Sequence, residues 1–281
     1  MLPVRTVAST VLFAGIRFFF AGCLVIAFYS LIKKKLLIPK RENIGKISIV
    51  ALFQTVLQYL FFYIGLANTT GVKATVISGC GTFSAILVAC LIFRQERLSL
   101  KKLLACIIGF SGIILINLNG LDWNFQMTGE GFVFLSTVCY GVSSSLIKRY
   151  SNLEDPVVIS GYQFMLGGLL MMIPGWLAGG SVQITTFEAW AVLGYLALLS
   201  AVAYSLWGVL LKYNPVSVIA VFSFMIPVFG VLLSQWLLTE QSGVSFQKLL
   251  IALCLICAGI LIQSNLKQHK EIHSYGKKHH F

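Results

Sequence analysis

Acidic residues are scarce in this chain, and none lies deep in an apolar segment. Its 281 residues include nine Asp and Glu against 21 Lys and Arg. Histidine is also missing from the apolar segments: His269, His273, His279 and His280 all sit near the carboxyl end. Without Asp or His there, those segments hold no Ser-His pair, paired aspartates or HExxH-like metal cluster. An intramembrane enzyme needs one of these, so no catalytic residue, metal or cofactor is expected. A mid-membrane proton relay of Asp, Glu or His also has no obvious carrier. Charge of any kind is sparse, at 11% of residues against 58% hydrophobic. A soluble domain carries about a quarter charged residues, so the composition excludes one. The net charge of +12 does not imply nucleic acid, because the basic residues sit in short loops between apolar runs. That is a topology signal.

A disulfide framework is excluded on similar grounds. Cys23, Cys80, Cys90, Cys106, Cys139, Cys254 and Cys257 are odd in number, and all lie in apolar segments. Cys254 and Cys257 read CxxC, but a redox motif needs an accessible thiolate. Packing is the plainer role. The start, MLPVRTVAST, lacks the basic leader and cleavage site of a signal peptide.

What is present is long apolar runs. A spanning helix needs about 20 apolar residues. Segments 8–32, 47–67, 72–93, 103–118, 129–147, 156–178, 190–211, 216–238 and 248–266 qualify or nearly so. The connections alternate in charge. Loop 33–46 has six Lys or Arg, 94–102 four, 148–155 two and 212–215 one, and the tail after 266 has four. The intervening loops 68–71, 119–128, 179–189 and 239–247 have none. Seventeen of the 21 basic residues thus fall on one side, which the positive-inside rule makes cytoplasmic. The carboxyl terminus is expected there, and the protein is expected in a cell membrane of the bacterial inner or plasma type.

An offset of 146 residues superimposes the chain on itself. Segments 8–32, 47–67, 72–93 and 103–118 land on 154–178, 193–213, 218–239 and 249–264. Gly15 meets Gly161, Phe18 meets Phe164, Gly22 meets Gly168 and Asn68 meets Asn214. The loop charges trade places: the six-positive loop 33–46 maps onto 179–192, which has no Lys or Arg. Equivalent loops on opposite faces describe an inverted repeat, a common plan of secondary transporters. Segment 129–147 has no partner, so the plan expects a further helix before residue 1. The expectation is an all-α membrane bundle of nine transmembrane helices from a ten-helix, 5+5 plan lacking its first helix. The expected divisions are an incomplete first repeat at 1–120, a second at 128–266 and a basic, His-rich cytoplasmic tail at 267–281.

The stretch 58–116 resembles the EamA domain of the drug/metabolite transporter superfamily. The resemblance is carried by Gly65-Leu66-Ala67-Asn68-Thr69-Thr70, Ala74, Phe83, Arg94-Gln95-Glu96-Arg97-Leu98-Ser99 and Gly112. A second copy is carried by Ala203-Tyr204-Ser205-Leu206-Trp207, Pro227-Val228-Phe229, Glu240 and Gly259. Arg17-Phe18 with Ala21-Gly22 resembles the start of that family's second helix, and Gly129-Glu130-Gly131 the start of its sixth. The resemblance implies two inverted five-helix repeats, cytoplasmic termini and a central cavity for small metabolites. The proline that the family places in its fourth helix is Gly81 here, while Pro227 is retained. Either residue loosens helical hydrogen bonding, so both are helix-bend candidates.

Polar residues in lipid are costly and turn toward the bundle interior. Gln54, Gln58 and Phe61 share one face at i, i+4 and i+7. Their offset counterparts are Ser200, Tyr204 and Trp207, also one face. These two stripes are the leading substrate-cavity candidates; interhelical hydrogen bonding is the alternative. Thr75, Ser78 and Thr82 form a hydroxyl face, as do Ser136, Tyr140 and Ser144. Hydroxyls can instead bond their own helix backbone. Arg17 is the one basic residue well inside a span, suited either to a substrate carboxylate or to helix ends and headgroups. Its counterpart is Gln163. Lys73 is placed to snorkel outward. Glu130, at the outer end of its helix, is the coupling candidate if protons drive transport. The glycines, Gly79, Gly81, Gly109, Gly112, Gly167, Gly168 and Gly230 among them, read as close helix contacts, with hinges as the alternative. The His/Lys-rich tail reads as a solvated anchor.

The function expected is a multi-pass transporter of small organic metabolites, amino-acid-like or drug-like, by export or exchange through alternating access. Its partners are the lipid bilayer and a small-molecule substrate. The alternative is a non-transporting or truncated membrane component, such as a receptor or assembly subunit.

Overall fold

The computed structural model describes residues 4–118, 124–229, 247–248 and 250–263. Among these residues every regular element is helical. Seven helices are long and apolar enough to cross a membrane: α1 (Val4–Lys33), α2 (Arg41–Ala67), α3 (Gly71–Ile92), α4 (Leu100–Asn117), α5 (Met127–Tyr150), α6 (Pro156–Leu177) and α7 (Phe187–Tyr213). Two shorter apolar helices follow, α8 (Val216–Phe229) and α9 (Leu250–Gln263). Each coincides with an apolar segment of the sequence. Gly230, Glu240 and the tail at 267–281 lie outside the described residues. All seven cysteines are free thiols.

Local chemistry sets the helix ends. Asp155 accepts the Val157 amide at 2.8 Å with Pro156 in the first turn of α6, a combination suited to a helix start. Thr70, Ser99 and Thr186 accept amides in the first turns of α3, α4 and α7. Lys34 and Arg94 follow α1 and α3 with φ of 51°, and Gly179 follows α6 with φ of 79°. That left-handed conformation terminates helices.

Regularity breaks at several points. Ala51–Leu57, Val88–Ile92 and Met127–Gly131 are π-helical, and such turns insert one extra residue into a helix. The α-helical run of α3 is interrupted at Cys80, beside Gly81. In α8, Phe222–Phe224 tighten into a 3-10 turn ahead of Pro227. Pro227 has no N–H to donate back to that turn.

The chain folds into two compact units. Residues 1–69 and 125–214 form the first, which holds α1, α2, α5, α6 and α7. The described residues within 70–124 and 215–263 form the second, which holds α3, α4, α8 and α9. Each unit therefore draws helices from both halves of the sequence.

Within the first unit, α1 and α6 pack antiparallel at close range. A Cβ on Gly22 would stand 2.5 Å from the Gly161 carbonyl oxygen, and one on Gly15 2.9 Å from that of Gly168. At the offset of 146, Gly15 corresponds to Gly161 and Gly22 to Gly168, so the two contacts are reciprocal. Between them, Phe18 stacks on Phe164, its own counterpart, with centroids 5.0 Å apart. Val11, Ala14, Ala21, Val56, Met171 and Ala197 complete the surrounding core.

The second unit repeats this logic. The Thr82 hydroxyl in α3 donates to the Ala220 carbonyl in α8 at 3.1 Å. Gly112 in α4 lies against Ala252 in α9, and Gly259 against Ala105. Ile86, Cys106, Ile113, Val221, Phe224 and Ile256 form its core.

Candidate functional site

The first unit has a polar and aromatic interior. At its centre, the hydroxyls of Tyr59 in α2 and Tyr204 in α7 meet at 2.5 Å. The Phe18–Phe164 stack lies beside them: Phe18 is 4.5 Å from the Tyr59 ring and Phe164 4.9 Å from that of Tyr204. Tyr63 lies 5.8 Å from Tyr59. The Arg17 guanidinium sits 4.4 Å above the Phe18 ring and 6.0 Å from that of Tyr59, and its charge also reaches Tyr63 and Tyr204.

Several buried polar atoms here have no protein partner: Arg17 Nε, Gln54 Oε1, Gln58 Oε1, Ser144 Oγ, Gln163 Nε2 and Trp207 Nε1. Gln54 is 2% exposed and Gln163 fully buried. Each such atom costs about 1–3 kcal/mol, and a packed structural core keeps few of them. Most atoms of this kind among the described residues lie in the first unit, while Gln263 Oε1 lies in the second.

The predicted residues divide between the units. Gln54, Gln58, Phe61, Ser136, Tyr140, Ser144, Ser200, Tyr204 and Trp207 belong to the first, with Arg17 and Glu130. Tyr140 and Trp207 meet with centroids 6.2 Å apart, and Phe61 packs on Phe132 at 5.6 Å. The Tyr204 carbonyl accepts the Ser160 hydroxyl at 3.2 Å. Ser136 donates to the Val133 carbonyl of its own helix at 2.6 Å. Thr75, Ser78 and Thr82 belong to the second unit, where Thr75 donates to the Gly71 carbonyl at 2.8 Å. The hydroxyls of Thr75 and Ser136 are thus engaged with backbone.

Tyr59, Tyr63, Phe18 and Phe164 were not among the expected lining residues. The offset of 146 pairs Gln58 with Tyr204, whereas the tyrosines that touch are 145 apart. The π-helical turn Ala51–Leu57 lies just before Tyr59. Its extra residue shifts the register by one, which a strict 3.6-residue period does not register.

Glu130 is 5% exposed. Its carboxylate accepts the Thr69 hydroxyl and the Gln126 amide, both at 2.7 Å. It thereby joins the end of α2 to the start of α5. Lys73 does not reach outward as its position suggested. It is 7% exposed, and its ammonium donates to the Asn124 carbonyl at 2.5 Å.

One end of the first unit gathers positive charge. Tyr29 near the end of α1 donates to Asp155 at 2.7 Å. Glu154 accepts the Lys40 amide and the Asn43 side chain, each at 3.1 Å. The Lys148 ammonium donates to the Leu211 and Asn214 carbonyls at 3.1 and 2.6 Å, capping α7. The ends of α1, α5 and α7 and the start of α6 therefore share a face. In the second unit, the Glu96 carboxylate pairs with Lys102 at 2.6 Å and accepts the Ser217 amide at 3.1 Å and its hydroxyl. Burial pushes this carboxyl upward, but the bonds from Lys102 and Ser217 outweigh it and hold it below its ordinary range.

The model of the EamA-like transporter family matches residues 4–118 and 127–264. The chain belongs to that family. Among its relatives, an uncharacterized transporter of Archaeoglobus fulgidus is 28% identical over 235 residues, covering 80% of this chain and 78% of the relative. Uncharacterized transporter YvbV of Bacillus subtilis is 25% identical, covering 92% and 84%. Solute carrier family 35 member F5 of Macaca fascicularis is 29% identical over 47% of this chain and 32% of its own length. A solved crystal structure superimposes with a TM-score of 0.75 at 19% identity, covering 91% of this chain and 89% of the other, a likeness of fold. This EamA-like chain is therefore a multi-pass membrane transporter protein with the family's two-repeat fold.

Proposed function

We propose that this protein carries small organic metabolites, amino-acid-like or drug-like, across the cell membrane by alternating access, in export or exchange. The observation that carries the reading is the cluster of buried, unpartnered polar atoms among aromatic rings in the first unit. Gln54, Gln58, Trp207 and Arg17 offer hydrogen bonds of both kinds, and the Phe and Tyr rings offer apolar faces. Such a mixture suits a concave ligand site.

The ten-helix, inverted-repeat plan is part of this proposal. The reciprocal contacts of Gly15 with Gly168 and Gly22 with Gly161 support it, as does the stacking of Phe18 on its own counterpart. Residues that touch their own counterparts belong on a pseudo-two-fold axis. The orientation is proposed from the shared basic face. Lys33, Lys148, Arg149 and Lys212 lie in the last turns of α1, α5 and α7. The positive-inside rule makes that face the cytoplasmic one, in keeping with the proposed cytoplasmic carboxyl terminus.

The test is uptake of a labelled panel of amino acids and metabolites into proteoliposomes. Wild-type protein should transport at least one class, and Tyr204→Ala and Gln58→Ala should each lower its rate tenfold or more. Normal transport by both variants at equal reconstitution defeats the site assignment.

A further inference from the structure

Arg17 carries a charge that no acidic residue among the described ones balances. It lies near the middle of α1 and is only partly buried. A charged side chain at the bilayer centre costs about 2.5–3.5 kcal/mol on insertion scales. The faces of Phe18 and Tyr59 return about 0.5–2 kcal/mol, and the guanidinium also hydrogen-bonds the Tyr63 side chain, but these neutral partners supply no counter-charge. Among the described residues no Asp or Glu pairs with Arg17. The buried Glu130 is held by Thr69 and Gln126 instead. Arg17 Nε itself has no hydrogen-bond partner. The counterpart of Arg17 is Gln163, so the positive charge is one-sided.

We propose that Arg17 docks the carboxylate of the transported molecule, a small organic monocarboxylate whose apolar or aromatic body lies against Phe18, Tyr59 and Tyr63. The guanidinium fork matches a carboxylate in two parallel bonds. A single cation walled by rings suits a monoanion; a doubly charged phosphate would require a basic cluster. The inference rests on the first unit being the substrate path.

The experiment uses the full chain in phosphatidylcholine nanodiscs, where no anionic headgroup competes. Aromatic and aliphatic carboxylates are added, each beside its own primary amide, and the unfolding midpoint is followed. At least one carboxylate should raise the midpoint by about 3 °C or more while its amide does not. Arg17→Gln should abolish the difference and Arg17→Lys should retain part of it. Equal responses to carboxylate and amide throughout the panel, including none to either, overturn the proposal without needing any variant to fold. Uptake separates the two readings. Transport of amides or amines in preference to carboxylates sinks the Arg17 assignment and leaves the transporter reading standing. Transport of nothing sinks both.

Discussion

Gly22→Ala should destabilise the protein even though alanine is the better helix former. The exchange gains about 1 kcal/mol of helix propensity in a helix interior. Against this stands the contact with α6. The new Cβ would lie 2.5 Å from the Gly161 carbonyl oxygen and 2.6 Å from the Met165 amide nitrogen, where ordinary contacts begin near 3.4 Å. Met165 Cγ also lies 2.6 Å away, but two of the three nearest atoms are backbone, so swinging that side chain aside does not relieve the clash. The helices must part by most of an ångström, loosening the Phe18–Phe164 stack between the two glycine contacts. Overpacking of this kind costs about 1–3 kcal/mol, occasionally more. The net loss is up to about 2 kcal/mol, and at about 2–4 °C per kcal/mol for a chain of this size the midpoint should fall by as much as several degrees. Gly194→Ala in α7 is the matched control: its Cβ would meet nothing within 4 Å. That variant should keep the propensity gain and melt at or slightly above the wild type. The assay is differential scanning fluorimetry of both purified variants in one detergent. Equal midpoints for Gly22→Ala and Gly194→Ala would refute the close packing of α1 on α6.

Further outcomes follow from the polar contacts. Glu96→Gln breaks a buried pair and should cost about 3–5 kcal/mol at neutral pH. The folded-state pKa of Glu96 is depressed, so its contribution is present above the unfolded carboxylate pKa and is lost as pH falls through the folded one. Acid unfolding curves of wild type and variant should therefore converge at low pH; a constant gap contradicts the assignment. Lys148→Met removes the cap on the Leu211 and Asn214 carbonyls and should lower stability by about 1–2 kcal/mol, read by the same fluorimetry. Tyr59→Phe leaves the Tyr204 hydroxyl without its 2.5 Å partner and should cost about 1 kcal/mol. An unchanged midpoint would show that the tyrosine pair does not hold α2 to α7.

The apolar spans were legible because lipid imposes length and composition on each helix, and loop charge gave the basic face that Tyr29–Asp155 and Lys148 later tie together. The glycine pairs were legible as matches at one offset; their reciprocal contact needed three dimensions. Tyr59 was hidden because a π turn changes the period without changing composition. The grouping of α1 with α6 and of α4 with α9 was also hidden, since partners 146 residues apart leave no local trace. Glu130 illustrates the opposite case. Its place at a helix end was legible, while its hydrogen bonds with Thr69 and Gln126, which join two helix ends, were not, and its coupling role stays a proposal.

Under the proposed alternating access, the interior of the first unit opens to each side of the membrane in turn. Ser200→Cys, introduced into a functional variant with the seven native cysteines replaced, tests it directly with a membrane-impermeant maleimide. Labelling from either face of oriented vesicles, slowed by a transported carboxylate, is the result expected. Labelling from one face only, or no labelling from either, would contradict alternating access through this site.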